Sequence, residues 1–150
     1  DGQHDPREII KILEPIVDDR ADFVVGTRWA GDSGYTASVP RRIGIGLFAG
    51  LVSLIVRRRV TDTTSGFRAV NRKGIRLFAV DYPHDYPEVE TTALVHRQGL
   101  RIAEVPVEMR DRAGGRSSIT LVRSVYYVVK VMLALFIGLF RRPTELPEDE

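Results

Sequence analysis

The stretch from Thr61 to Arg68 gathers several groups that can bind a polar ligand into one short segment. It reads Thr-Asp-Thr-Thr-Ser-Gly-Phe-Arg, and so combines the carboxylate of Asp62 with hydroxyls, a glycine and a terminal arginine. Loops that precede a strand often carry binding residues, and glycine gives such a loop conformational freedom. A purely structural turn is the alternative, but these residue types together favour a functional loop.

Other arginines stand where regular elements are expected to begin or end. Arg28 follows the short β-branched run 21–26, and Arg41 and Arg42 open a long apolar segment. A guanidinium offers planar, paired donors to phosphate oxygens, which makes arginine suited to phosphate binding. The alternatives are a surface charge for Arg28 and a solvated helix start for Arg41 and Arg42.

Two further segments carry charge or flexibility that a binding site can use. Glu88 and Glu90 fall near the start of a predicted helix, where the helix dipole favours negative charge. Residues 110–118 are rich in glycine and contain Arg112, Arg116 and Ser117, which supply hydrogen-bond donors in a chain that can approach a ligand closely. Inert N-terminal acids and a glycine-rich linker are the respective alternatives.

The elements that position these groups follow from the spacing of apolar residues. Helical spacing predicts a helix over about 6–19, with Asp5 as N-cap and Pro6 at its first position. Further predicted elements, in chain order, are a strand at 21–26, a loop at 31–40, a helix at 41–59, a strand at 67–70, a helix at 73–78, a helix at 87–98 that ends at Gly99, and a strand at 100–109 in which Pro106 marks an edge or an end.

The segment from Ile119 to Phe140 is the most apolar part of the chain, although Arg123 and Lys130 interrupt it. A membrane-spanning helix needs about 20 predominantly apolar residues, and the uninterrupted core is shorter. Tyrosines near its start and basic residues at its close are typical of a helix lying in the membrane interface. A helix packed inside the fold is the competing interpretation.

Length and composition set the outer limits. The 150 residues include 43% apolar and 28% charged residues, as in one soluble globular domain, and strands alternating with helices indicate an α/β architecture. The absence of cysteine excludes disulfides, thiolate zinc sites and cysteine nucleophiles. The sheet is too short for a complete doubly wound fold and the polar opening residues carry no secretion signal, so we expect a fragment with a preceding half.

Several motifs, taken in order, resemble those of family 2 glycosyltransferases that act on polyprenyl phosphates. The opening Asp-Gly-Gln-His-Asp-Pro is similar to the second half of that family's acidic signature, Thr61–Arg68 to its Asp-x-x-Ser-Gly-Phe-Arg, and residues 110–118 to its Arg-x-x-Gly-x-Ser. The further matches are Gly-Thr-Arg-Trp at 26–29, Glu-x-Glu at 88–90 and Glu-Val-Pro-Val at 104–107. The first aspartate of the acidic signature would precede residue 1.

The resemblance implies a role for each motif. Asp1 and Gln3 are implied ligands of Mg²⁺ or Mn²⁺, hard cations that favour oxygen donors. Arg28, Arg41 and Arg42 are implied to bind the acceptor phosphate. Asp62 and Glu90 are implied to form the catalytic group, in which Asp62 contacts sugar hydroxyls and Glu90 has a positioning role. Donor-binding residues are implied to be Ser65, Arg68, Arg112, Arg116 and Ser117.

The implied fold is α/β: a partial GT-A (Rossmann-like) sheet with flanking helices over residues 1–118, an amphipathic interface helix over 119–142 and a disordered acidic tail over 143–150. The implied activity is inverting transfer of a hexose from UDP- or GDP-hexose to a polyprenyl phosphate at the cytoplasmic face of the membrane. We expect these 150 residues alone to be inactive. No nucleic-acid partner is expected, and a homo-oligomer is left open.

Two other functions stay open. A family 2 enzyme that glycosylates a saccharide hydroxyl would need a general base, for which Glu90 is the candidate. A non-catalytic module would use its arginines and its C-terminal helix only to bind anionic lipid.

Overall fold

The computed structural model describes residues 4–28, 39–108 and 121–144. A 3₁₀ turn at Pro6–Glu8 leads into the first of five helices within these residues, which also form three strands. The helices are α1 (Ile9–Val17), α2 (Val39–Val56), α3 (Arg72–Val80), α4 (Pro87–Arg97) and α5 (Leu121–Leu139). The strands are β1 (Phe23–Thr27), β2 (Arg68–Val70) and β3 (Ile102–Pro106).

The strands form a mixed sheet in the order β2-β1-β3 within the described residues. The central strand β1 runs antiparallel to β2 and parallel to β3, with Val24 opposite Ala69 on one side and Ala103 on the other. The α/β class predicted from the sequence is therefore confirmed.

The central strand is buried along its whole length, and its side chains alternate between two layers. Val24 packs with Ile12 of α1 on one face of the sheet. Phe23 and Val25 pack on the other face, against Leu77 of α3 and the end of α4. Complete burial of an aliphatic side chain is worth about 1.5–3 kcal/mol, so this run fixes the centre of the fold.

A third apolar cluster joins three helices beside the sheet. Phe48, Val52 and Val56 of α2 meet Val89 of α4 and two residues of α5, Val131 and Leu135. Since Val131 and Leu135 are four residues apart, they lie on one side of α5. That side attaches α5 to the body of the protein.

Local signals in the sequence set several helix ends. The Asp5 carboxylate accepts a hydrogen bond from the backbone N–H of Arg7 at 3.0 Å, which confirms the predicted N-cap. Gly99 ends the α4 turn with φ of 70°, a conformation that favours glycine. Pro106 is the last residue of β3, as predicted.

Some predicted boundaries were wrong. Helix α2 begins at Val39, so Pro40 belongs to its first turn, where proline costs no hydrogen bond; the rest of the predicted loop up to residue 38 lies outside the described residues. Helix α3 continues to Val80, beyond the predicted end at 78. The first turn of the helix predicted over 6–19 is 3₁₀ rather than α.

A buried carboxylate ties the start of β1 to its neighbours. Asp22 accepts hydrogen bonds from the backbone N–H and the Nε of Arg101, at 2.8 and 2.9 Å, and from Nδ2 of Asn71 at 2.6 Å. These bonds, chiefly those from Arg101, hold the pKa of Asp22 far below its usual range. The carboxylate thereby fixes the start of the sheet.

Among the helices that the structure describes, none is long and apolar enough to cross a membrane.

Candidate functional site

Arg28 and Asp62 meet in a buried ion pair at the carboxyl end of β1. The Arg28 Nε donates to Asp62 Oδ2 at 2.7 Å, and Nη2 donates to Oδ1 at 2.8 Å. Arg28 is placed there because it directly follows the buried strand, while Asp62 lies in the loop that leads into β2. The two-point geometry is the strong form of a carboxylate–guanidinium contact.

The Asp62 carboxylate is fully used by its own surroundings. Besides the two guanidinium bonds, it accepts from the backbone N–H of Arg28 at 3.3 Å and from the backbone N–H and hydroxyl of Thr64 at 3.2 and 3.1 Å. A carboxylate has about four lone-pair positions, so these five bonds saturate it. The contact of Asp62 with sugar hydroxyls, which the resemblance implied, stays a prediction.

Glu104 of β3 holds the middle of the loop between α2 and β2, at Thr61 and Asp62. The Glu104 carboxylate accepts from the backbone N–H of Thr61 at 2.8 and 3.0 Å and from the backbone N–H of Asp62 at 3.1 Å. It also accepts from the Thr61 hydroxyl at 2.9 Å. Sequence reasoning noted the Glu-Val-Pro-Val segment but missed this role, since a lone acid in an alternating strand carries no distinguishing local signal.

A chain of hydroxyls links the end of β1 to the same carboxylate. The Thr27 and Thr61 hydroxyl oxygens lie 2.9 Å apart. Because the Thr61 proton points to Glu104, Thr27 must be the donor to Thr61. The end of β1 and the start of the loop are thus connected both through this chain and through the Arg28–Asp62 pair.

Arg68 closes the other end of the loop through backbone carbonyls. Its guanidinium donates to the carbonyl oxygens of Ser65 at 2.8 Å and Thr63 at 3.2 Å, and to those of Pro87 and Glu88 at the start of α4. Burial lowers the pKa of Arg68, while the more distant charges of Tyr82, Glu88 and Asp62 oppose this shift. Arg68 therefore fastens the loop to α4, and its predicted contact with a donor stays a prediction.

Ser65 is buried within the same loop. Its hydroxyl accepts a hydrogen bond from the backbone N–H of Phe67 at 3.3 Å, a local turn contact. Thr63 is also buried, and among the described residues its hydroxyl has no hydrogen-bond partner. The predicted donor-binding role of Ser65 stays a prediction.

Close packing explains why the strand before Arg28 contains a glycine. A Cβ at Gly26 would lie 2.9 Å from Phe67 and 3.0 Å from Val107. The backbone of β1 can therefore approach Phe67, just before β2, and Val107, just after β3, only because residue 26 has no side chain. Gly26 thus belongs to the support of the site.

His4 brings the beginning of the chain to the same region. Its ring stacks on Phe67 with centroids 4.8 Å apart. Partial burial lowers the pKa of His4, and the charge of Arg28 lowers it further. The segment that follows Gln3 therefore lies beside the loop and close to Arg28.

Glu90 lies elsewhere. It lines a cleft of about 420 Å³ between α4 and α5, and none of the lining residues belongs to the loop at 61–65. Burial raises the pKa of Glu90, Asp85 adds to that effect and Arg141 opposes it. Glu90 therefore faces this cleft, and its predicted place in the catalytic group stays a prediction.

Asp1, Gln3, Arg112, Arg116 and Ser117 lie outside the described residues. The backbones of Arg41 and Arg42 belong to the first turn of α2, but their side chains are likewise outside the description. Across residues 4–28, 39–108 and 121–144, no group of three acidic, histidine or cysteine residues could hold a metal ion.

Comparison with curated proteins identifies relatives whose names all include a polyprenyl phosphate, either dolichyl or undecaprenyl phosphate. A dolichyl-phosphate hexose transferase of Haloferax volcanii is 32% identical over 118 residues, which cover 73% of this chain and 47% of that protein. An undecaprenyl-phosphate mannosyltransferase of Micrococcus luteus is 28% identical over 125 residues, covering 80% and 50%. A UDP-N-acetylglucosamine–dolichyl-phosphate N-acetylglucosaminyltransferase of Methanococcus voltae is 28% identical over 111 residues, covering 72% and 44%.

No protein-family model matches the chain. The chain spans half the length or less of these three curated relatives. Over most of its own length, however, it aligns with each of them, and the resemblance predicted from the motifs is confirmed. By sequence, this chain is similar over most of its own length to dolichyl- and undecaprenyl-phosphate glycosyltransferases.

Proposed function

We propose that this chain is part of an inverting glycosyltransferase that moves a hexose from UDP- or GDP-hexose to a polyprenyl phosphate. The observation that carries the proposal is the buried Arg28–Asp62 pair at the end of the central strand. The names of the relatives support the acceptor class.

Arg28 is the residue that receives the acceptor phosphate in this proposal. Asp62 and Thr64 take three of its donors, two from Nη2 and one from Nε, and so set the plane of the guanidinium. An arginine with a fixed plane loses less entropy when it binds phosphate than a freely moving one. In this proposal, Asp62 thus contributes to acceptor binding by orienting Arg28.

The chemical step needs no proton acceptor. An oxygen of the anionic acceptor phosphate attacks the anomeric carbon from the face opposite the nucleotide, and a new carbon–oxygen bond forms with inversion. The bond from that carbon to the donor phosphate breaks, and the nucleoside diphosphate leaves with the electron pair. Because the attacking phosphate is already charged at neutral pH, Glu90 has no general-base task in this proposal.

Charge on the departing diphosphate must be stabilised. We assign this to the basic loop with Arg112, Arg116 and Ser117, and to Mg²⁺ or Mn²⁺ held by Asp1 and Gln3. The bound cation would supply electrostatic stabilisation of the leaving group. Carboxylate and amide oxygens are ligands that these cations favour. The ring of His4, the residue next to Gln3, stacks on Phe67 beside the loop.

In this proposal, residues 1–118 form one part of a GT-A domain. In this proposal α5 follows that domain and lies on the cytoplasmic membrane surface. Its outer side supports this, because Leu133 and Phe136 are 57% and 58% exposed and Phe140, just after the helix, is 75% exposed. Lys130, Arg141 and Arg142 are exposed on the same helix and just after it, where they can attract anionic headgroups.

A transfer assay tests the proposal. Labelled UDP- and GDP-hexoses are incubated with polyprenyl phosphate and either residues 1–150 or the complete product of the gene, and label is measured in the organic phase. We expect transfer by the complete product and none by residues 1–150 alone. Transfer to a saccharide hydroxyl but not to lipid would refute the acceptor class. Liposome binding without any transfer would favour a non-catalytic module.

A further inference from the structure

We propose that Glu104 is a positioning residue that sets the orientation of Arg28 through the first two residues of the loop at 61–65. The inference rests on the proposed role of Arg28 in binding the acceptor phosphate.

The first step is the anchoring of the loop. Both oxygens of Glu104 bind the backbone N–H of Thr61, and one of them also binds the backbone N–H of Asp62 at 3.1 Å. Two consecutive amide groups therefore converge on one carboxylate. Hydrogen bonds to a charged acceptor contribute more than neutral ones, so this contact fixes the backbone where Asp62 begins.

The second step is rigid support for Glu104 itself. Glu104 lies on β3 directly opposite Val25 of the buried central strand. Arg28 stands three residues after Val25 on the same chain segment, and the backbone N–H of Val107 donates to the Thr27 carbonyl at 3.1 Å. Glu104 and Arg28 thus lie on neighbouring backbone segments that are hydrogen-bonded to each other.

The third step connects the anchored backbone to the guanidinium. The anchored amide and the carboxylate belong to the same residue, Asp62. That carboxylate binds Arg28 at two points. A shift of the Asp62 backbone would therefore rotate or release the guanidinium plane. Misplacement of a binding group by about 1 Å can cost about 100-fold in rate.

The consequence is a division of labour between two carboxylates in one site. Asp62 contacts the phosphate-binding arginine, and Glu104 holds Asp62 in place without touching Arg28 in the described contacts. Loss of Glu104 should therefore weaken acceptor use more than donor use. A residue that served only general stability would affect both substrates alike.

The test compares Glu104→Gln with Glu108→Gln in the complete gene product. Both substitutions remove one negative charge from the same segment, but Glu108 is exposed. We expect Glu104→Gln to lower kcat/KM for polyprenyl phosphate at least 10-fold, with the donor KM changed less than twofold, and Glu108→Gln to leave both unchanged. Thr61→Ser, which keeps the hydroxyl contact, should retain activity within about threefold.

A second readout does not depend on activity. The Arg28 Nε–H resonance is measured by NMR in the unliganded protein, where we expect Glu104→Gln to shift it and to speed its exchange at least 10-fold, unlike Glu108→Gln. An unchanged resonance, or equal losses for donor and acceptor, would overturn the positioning role. If the wild-type protein showed no transfer, the proposed function would fail, while this resonance would still decide the role of Glu104.

Discussion

Arg28 and Asp62 form a two-point ion pair, 2.7 Å from Nε to Oδ2 and 2.8 Å from Nη2 to Oδ1, although 34 residues separate them in sequence. Their side chains are 8% and 0% exposed. A buried pair of this kind is costly to break, because removal of one partner leaves the other charge buried and uncompensated. The pair therefore links the function proposed for Arg28 to the stability of the fold.

Asp62→Asn should lower both activity and stability. Although Asp62 lies in a loop, its side chain is fully buried in the pair with Arg28. We expect a loss of about 3 kcal/mol in the free energy of unfolding, since a buried charge loses its partner. Urea unfolding of both proteins measures it.

The control for that substitution is Glu14→Gln. Glu14 pairs with Arg20 at 3.1 Å, but the two side chains are 64% and 57% exposed. A surface pair contributes under about 1 kcal/mol. Equal effects of the two substitutions would contradict the importance assigned to the buried pair.

Gly26→Ala should destabilise the sheet. The added methyl group would meet Phe67 and Val107 at about 3 Å, and overpacking of a core costs about 1–3 kcal/mol. Gly50→Ala in α2 is a matched control of opposite sign, because a Cβ at Gly50 meets nothing within 4 Å. Alanine in a helix is favoured over glycine by about 1 kcal/mol. Melting curves that moved in the same direction for both would count against this packing.

Acidification should remove the stabilisation that Asp22 provides. Its pKa is depressed in the folded state, so the unfolded chain binds more protons below its ordinary value of 3.8. Stability from this group is therefore present above about pH 4 and is lost as pH falls further. The slope of the free energy of unfolding against pH should shrink in Asp22→Asn. It should persist in Asp18→Asn, whose side chain is 50% exposed; an unchanged slope in Asp22→Asn would contradict this role.

Substitutions on the two sides of α5 should distinguish membrane binding from packing inside the fold. Leu133→Ser with Phe136→Ser changes exposed residues and should release the protein from anionic liposomes while its melting temperature stays within a few degrees. Leu135→Ser changes a buried residue and should lower the melting temperature. Flotation at low and high salt measures binding, which salt should weaken. If the exposed pair instead abolished self-association without changing flotation, a second copy of the chain would be the occupant of this face.

Much of the element order could be predicted from local sequence. The β-branched run before Gly26 indicated a buried strand, and Asp5 and Gly99 marked helix ends through their own backbone requirements. The boundaries of α2 and α3 were less accurate, because proline is tolerated in a first helical turn and apolar residues beyond 78 continue the helix. Local propensity thus predicted the presence of each helix and strand more accurately than its end residues.

The partners within the site could not be predicted in the same way. Asp62 and Arg28 were both selected as functional residues, but their pairing depends on how the loop before β2 meets the end of β1. The role of Glu104 was missed because only the parallel register of β3 against β1 brings it to Thr61. Glu90 was grouped with Asp62 by motif order, although α4 directs it into the cleft beside α5.

The most direct test of the account is the acceptor dependence of Arg28→Lys in the complete gene product. Lysine keeps the charge but cannot form the two-point contact with Asp62 that sets the plane of the guanidinium. We expect kcat/KM for polyprenyl phosphate to fall at least 100-fold, about 2.7 kcal/mol of transition-state stabilisation, while the KM for the nucleotide-sugar changes less than threefold. Acceptor kinetics within threefold of the wild type, in a variant that remains folded by thermal melting, would contradict the placement of the acceptor phosphate at Arg28.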